Sequence, residues 1–425
     1  ATSNLGLGTG AVDSITTGDY NVGIGDSALT ATTSGIDNVA VGRNALSGNT
    51  TGLHNTAIGD RAMTANVDGG YNTAVGLLAL GNNISGSYNV ATGRSALQAN
   101  LGSFNTASGY IALSSNTTGT SNTATGYQAL GSNTTGSNNT ATGYQALNAN
   151  TTGAYNTASG FNSLYSATTA TSNTAYGAHS LLNTTTGQNN VAVGKSALNF
   201  NTTGGTNVAV GMNVLYDNTT ASYNTGVGYE AMRYNTTGAA NTAFGYYSLK
   251  ANTTGTQNTA SGMYALTSNT TASYNTAFGY YSLNANTTGA YNTAIGREAG
   301  DNITTGSSNI IIGAGVNAPS ATASNQLNIG KTIRGAKSFI VGTTDVPIGD
   351  ANSGLVVFSG TGGGASFVDI LLVNYFAGVT VLHSKSTTAP TRTYSKTAGG
   401  IINVRMSAAN SMACADLSLS TIGGV

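Results

Sequence analysis

Residues 139–155 read N-T-A-T-G-Y-Q-A-L-N-A-N-T-T-G-A-Y, and the same phrase restarts at Asn156. Working outward, it begins at Asn4, Asn21, Asn38, Asn55, Asn72 and Asn89, slips by one residue to Asn105, and then recurs every 17 residues to Asn309. Nineteen copies on so short a period define a solenoid, in which each repeat stacks only on its neighbours.

Positions are numbered 1 to 17 from the leading Asn. Position 3 is Ala in nearly every copy (Ala40, Ala57, Ala74, Ala141, Ala192, Ala294), with Gly6, Gly23 and Gly226 among the exceptions. Position 5 is Gly throughout, and position 15 is Gly except at places such as Ala170, Ala221 and Ala272. Position 9 is usually Leu or Met, as at Leu29 and Met63. Asn, Thr and Gly are weak helix formers and too abundant here for a helical rung. Positions 2 to 4 therefore read as a short strand, the glycines at 5 and 15 as tight corners or positive-φ sites, and the A-L pair at 8 and 9 as a second strand or a single turn. The expected fold is all-β: a parallel β-solenoid with one 17-residue rung per repeat and a core that includes Ala40, Leu46, Ala57, Leu130, Ala141, Leu147, Leu198 and Leu283. At the sheet spacing of about 4.8 Å, nineteen rungs make a rod of roughly 90 Å.

One Leu and a few Ala or Val per rung are a thin core against the entropy of ordering seventeen residues. Side chains alternate across a strand, and both faces of positions 2 to 4 read as buried: Ala on one, often apolar residues on the other (Val39 with Val41, Val208 with Val210). That implies a partner chain, and a homotrimer about the rod axis is the expected closed solution. Position 4 then forms a candidate axis column, apolar near both ends and hydroxyl-lined in the middle at Thr92, Ser108, Thr125, Thr142 and Ser159.

The phrases N-V-A-V-G-R-N-A-L at Asn38 and N-V-A-V-G-K-S-A-L at Asn190 resemble the head repeats of trimeric autotransporter adhesins. Those repeats are shorter and form trimeric left-handed parallel β-rolls. The full N-T-A-x-G-Y-x-A-L-x-x-N-T-T-G form resembles repeats of phage tail fibres and related bacterial surface proteins. The resemblance covers about residues 4–313 and implies a trimeric fibre or adhesin. A-S-N-Q-L-N-I-G at 323–330 is similar to a segment that often precedes the C-terminal module of phage fibres, although the self-cleaving chaperone common there has no counterpart in this chain.

The rest of the composition narrows the function classes. The 425 residues include 59 Gly, 22 Tyr and no Trp; only 7% are charged and the net charge is zero. Nucleic acids and anionic membranes are bound through clustered Lys and Arg, so neither is an expected partner. No apolar run reaches the length of a membrane span, and Ala1 opens straight into a repeat, which reads as a removed leader or a virion protein that never had one. The first repeat has no evident cap, so another virion or filament subunit is expected to cover that strand edge.

Three regions are expected: a shaft over 1–313, a transition over 314–347 that loses the repeat, and a tip over 348–425. The tip carries strand-like runs at 355–359, 367–375, 379–384, 392–396, 401–406 and 417–422, a spacing that suggests a small antiparallel β-sandwich.

Catalytic chemistry is largely declined. His54, His179 and His383 have no second ligand at metal spacing, so no metal and no cofactor is assigned. Cys414 reads as a structural thiol. Asp345, Asp350, Asp369 and Asp416 are too scattered to be defended as a glycosidase pair, and G-T-G-G-G at 360–364 lacks the Lys of a phosphate loop. The N-T-T triplets at Asn49, Asn116, Asn133, Asn150, Asn183, Asn201, Asn218, Asn235, Asn252, Asn269 and Asn286 fit a glycosylation sequon but read better as turn and ladder residues. Tyrosines at positions 6 and 17 read as rung-on-rung stacks rather than a sugar-binding stripe. The expected function is non-enzymatic and extracellular: a shaft presenting a distal tip to a host surface receptor, a glycan included. The alternative is the subunit of a self-assembling extracellular filament or a bacterial surface adhesin.

Overall fold

The computed structural model describes residues 3–330 and, beyond them, five strands: Ser353–Gly362, Ala365–Asn374, Gly378–Ser386, Arg392–Lys396 and Ile402–Met406. Residues 3–330 form a parallel β-solenoid. Twenty strands of three residues each, from Leu5–Leu7 to Leu327–Ile329, make one continuous parallel sheet. Every strand occupies positions 2 to 4 and pairs with the same positions of the next rung, as Thr123 with Thr140, Ala124 with Ala141 and Thr125 with Thr142. Leu327–Ile329 pairs in register with Ile310–Ile312, 17 residues earlier, so the sheet runs one strand past Gly313, where the sequence reading ends the shaft.

The single slip does not disturb this register. Val90 pairs with Thr106 across 16 residues. The missing residue comes out of the corner between positions 12 and 15: Asn100 Nδ2 donates to Gly102 O two residues on, where Asn133 Nδ2 donates to Gly136 O three residues on.

The core is a stack of side chains from positions 3, 8 and 9. All eight expected core residues, Ala40, Leu46, Ala57, Leu130, Ala141, Leu147, Leu198 and Leu283, are fully buried. Volumes are traded between neighbouring positions. Gly226 replaces Ala at position 3 beside Val214, whose Cγ1 lies 2.6 Å from where a Cβ would stand. Gly300 replaces Leu at position 9, and a Cβ there would meet Ile303 Cδ1 and Ile311 Cγ1, each at 3.4 Å. Ile311, read as the start of a change in packing, is thus accommodated by a glycine in the rung below.

The A-L pair is a turn, not a second strand. In the Asn122 rung, Gly126 (φ 128°), Gln128 (φ 52°), Leu130 (φ 51°) and Asn138 (φ 59°) all have positive φ, and the same positions do so in rung after rung. A left-handed non-glycine residue costs about 1–2 kcal/mol. Each of these three is held by a neighbouring rung: Gln128 N–H donates to Tyr110 O, Leu130 N–H to Ala146 O and Asn138 N–H to Thr120 O, all at 3.0 Å. Glycine at position 5 is needed for its φ, as expected. Glycine at position 15 is there for close approach instead: a Cβ on Gly69 would lie 2.5 Å from Gly86 O and 2.6 Å from Asn66 Oδ1. Nothing in their surroundings explains why Ala170, Ala221 and Ala272 are tolerated at this position.

Two buried asparagine ladders replace the apolar mass that the rungs lack. Asn139 N–H donates to Asn122 Oδ1 (3.0 Å) and Asn139 Nδ2 to Gly153 O (2.9 Å). From the other side, Asn150 Nδ2 donates to the same Gly153 O (3.0 Å) and to Asn133 Oδ1 (2.6 Å). Buried amides satisfied in this way stabilise the stack, and one left unsatisfied costs about 1–3 kcal/mol. Where position 12 is Ala167 or Ile303 the ladder stops, and Asn150 Oδ1 and Asn286 Oδ1 have no partner. The N-T-T asparagines at position 12 are these fully buried ladder residues; Asn183, at position 11, is half-buried.

Within the chain only the Ala face of the strand is buried. Positions 2 and 4 point outward and are half-buried or exposed, as in Val90–Thr92, Thr123–Thr125 and Thr140–Thr142. The core lies on one side of the sheet because the turn that carries Leu closes over position 3 alone.

Of the last five strands, the first three form an antiparallel sheet, with Ser353 opposite Asn374 and Phe367 opposite Ser386, and the last two pair as Arg392 opposite Met406. They coincide with five of the six expected runs. Asp369 sits mid-strand opposite Phe358. The sixth run at 417–422, Cys414, Asp345, Asp350 and Asp416 lie outside the described residues.

Candidate functional site: a groove along positions 11 to 13

Most of the shaft surface is uniform, so departures from the repeat stand out. At position 11 most rungs carry Ala, Ser, Gly or Asn, yet three consecutive rungs carry Phe200, Asp217 and Tyr234. Beside them position 10 supplies Tyr216, Arg233 and Lys250. Phe200, Asp217 and Tyr234, with Ser166 and Asn183, form one wall of an open groove of about 890 Å³ that runs along the rod. The opposite wall is the threonine column at position 13: Thr185, Thr202, Thr219, Thr236 and Thr253. Each of these hydroxyls donates to the carbonyl of the threonine one rung on, as Thr202 Oγ1 to Thr219 O (3.0 Å) and Thr219 Oγ1 to Thr236 O (3.1 Å).

A charged cluster braces the bulky wall. Glu230 is nearly buried; its carboxylate pairs with Arg233 and lies 2.8 Å from Lys250 Nζ. Burial works to raise the Glu230 pKa, but Lys250, Arg233 and Asn213 together outweigh it and hold the carboxyl below its ordinary value. Lys250 Nζ also sits 3.7 Å from the Tyr247 ring centroid, and the Arg233 guanidinium covers Tyr216 and Tyr234 at 5.5 and 5.4 Å. Phe200 meets Tyr216 edge to face at 5.2 Å. Asp217, between Phe200 and Tyr234, makes no salt bridge among the described residues. Burial raises its carboxyl above the ordinary range, with Arg233 acting in the opposite sense. The groove therefore offers aromatic faces, one carboxylate and threonine oxygens.

The residues singled out from sequence fall elsewhere. Thr92, Ser108, Thr125, Thr142 and Ser159 form an unbroken column, but on the outer face of the chain. The aromatic columns do stack rung on rung. Tyr71, Tyr88 and Phe104 run at 4.9 and 5.2 Å along position 17, and Tyr110, Tyr127 and Tyr144 at 5.4 and 5.0 Å along position 6. His54 caps the first stack on Tyr71 and stands 3.6 Å from Asp37; His179 packs edge-on against Phe161. Among the described residues, no three His, Cys, Asp or Glu side chains are grouped to hold a metal ion. The groove's signal in the sequence is the breaking of a column, where every other feature shows itself by repeating.

No family model, curated protein or solved structure matches the chain.

Proposed function

We propose that the chain is the shaft-and-tip subunit of a homotrimeric extracellular attachment fibre. The observation that carries this reading is the outward apolar stripe on the sheet. Leu7, Ile58, Phe244, Phe278 and Ile295 each leave 41–55% of their surface exposed in line along one face. The column is apolar toward both ends, with Thr92–Ser159 and Ser261 between, and exposed apolar residues gathered on one face in this way mark a contact surface. A parallel sheet covered on one face only also departs from the rule that such sheets are buried on both. Three chains joined by this face would cover it, with the Thr92–Ser159 column as a wet, hydroxyl-rich stretch along the contact. The rod supplies reach. The antiparallel strands after residue 353, read as the β-sandwich of the tip, would meet the host surface.

The reading is tested by native mass spectrometry, with an expected mass of three chains, and by a cell-attachment assay on a chain truncated before Ile348. The truncated chain should still form rods but lose attachment. A folded monomer would overturn the trimer, and open-ended filaments in electron micrographs would favour end-to-end assembly over a discrete fibre.

A further inference from the structure

The groove of Phe200, Asp217 and Tyr234 lies on the shaft, on columns other than the apolar stripe. Its chemistry restricts what it can take. A peptide added as a strand needs free backbone groups, and the threonine column has none to spare, because each threonine N–H donates to the carbonyl of the threonine one rung on. Thr219 O already accepts the N–H of Thr202 (2.8 Å), the N–H of Thr203 (3.3 Å) and the Thr202 hydroxyl. A nucleic acid needs free cations, and Arg233 and Lys250 are both engaged by Glu230, leaving the half-buried Asp217 as the charge that faces the groove. What remains fits a sugar: aromatic faces for the C–H side of a ring, and a carboxylate and hydroxyl oxygens for its O–H groups.

Spacing narrows the choice further. Phe200 and Tyr234 occupy the same position two rungs apart, about 9.6 Å at the sheet spacing, with Asp217 midway. Both rings are well exposed, at 44% and 42%, and since Arg233 and Lys250 stand over Tyr234 at 5.4 and 5.8 Å, a sugar would take the face that they leave open. In an extended β-1,4-linked glycan each ring is turned over relative to the last, so every second sugar presents the same face, at a repeat close to two rungs. An α-1,4-linked chain curls and cannot keep that match. We infer that the groove binds a neutral β-1,4-linked oligosaccharide lying along the rod, with alternate sugars on Phe200 and Tyr234 and the intervening hydroxyls on Asp217.

The experiment is calorimetric titration of the full chain with hexamers of β-1,4-linked N-acetylglucosamine, β-1,4-linked glucose and α-1,4-linked glucose. At least one β-1,4 hexamer should bind and the α-1,4 hexamer should not. Phe200→Ala and Tyr234→Ala should each weaken binding by about tenfold or more. Phe200→Tyr should retain it, and so should Tyr71→Ala, which removes a ring from a different column. Melting curves of the alanine variants that match the parent show that the loss is local. Absence of binding by every hexamer, equal binding of α and β linkages, or indifference to both alanine variants would overturn the inference. So would a change in assembly mass on Tyr234→Ala, which would make the groove a contact between copies. Failure of this site leaves the attachment-fibre reading where it stands, because that rests on the position-4 column and the tip.

Discussion

The most telling residue is an ordinary leucine in an unusual conformation. Leu130 at φ 51° occupies a region that β-branched and bulky residues avoid, yet its side chain is fully buried and its N–H is fixed by Ala146 O. Conformation is being set by closure of the rung and by its neighbours, not by local preference. Position 7 shows the same constraint with less burial in most rungs, and Ile111 (φ 55°), β-branched and only half-buried, bears it least well. Asn44, Asn162 and Asn213 already fill that column. Ile111→Asn should therefore raise stability by roughly 1 kcal/mol, read as a higher midpoint in thermal or denaturant unfolding. The sequence discloses position 5 because glycine advertises its own φ. It is silent on positions 7, 9 and 17, where Gln, Leu and Tyr carry no such mark.

At the scale of the rung, the strand and both ladders were legible, because the alanine of position 3 and the asparagines of positions 1 and 12 repeat without needing interpretation. The orientation of positions 2 and 4 was not. Val39 and Val41 look like core residues, and only the path of the turn shows that the interior lies on the Ala side. The braced wall around Glu230 was legible only as an interruption. Its carboxyl is held below the ordinary value, so it contributes stability that is fully present above about pH 4.3 and is lost as pH falls through its lower folded value. Glu230→Gln should lower stability at neutral pH by roughly 1–2 kcal/mol, since Arg233 and Lys250 would be left facing each other. In melts at descending pH, parent and variant should converge; a gap that persists at acid pH would mean that the carboxylate's charge is not what matters.

Across the whole molecule, each rung touches only the rungs on either side, so stability is a sum of like interfaces. Removing residues 122–138, one complete repeat, should leave a folded rod with a nearly unchanged midpoint and a slightly smaller dependence on denaturant. Removing only residues 122–129 should disrupt it, because every later Ala, Leu and Asn would leave its column. Circular dichroism melts of the two deletions separate these outcomes. The chain already records one tolerated change of length, at the corner after Asn100, where a residue is missing while the asparagine ladder and the strand register continue. Near-identical neighbouring repeats such as 122–138 and 139–155 also give the encoding gene tandem copies that can misalign when it is replicated or recombined. A gained or lost copy would add or subtract one sheet spacing, about 4.8 Å, and nothing else. Reach is then a heritable quantity that varies in fixed steps, open to selection without a toll on folding.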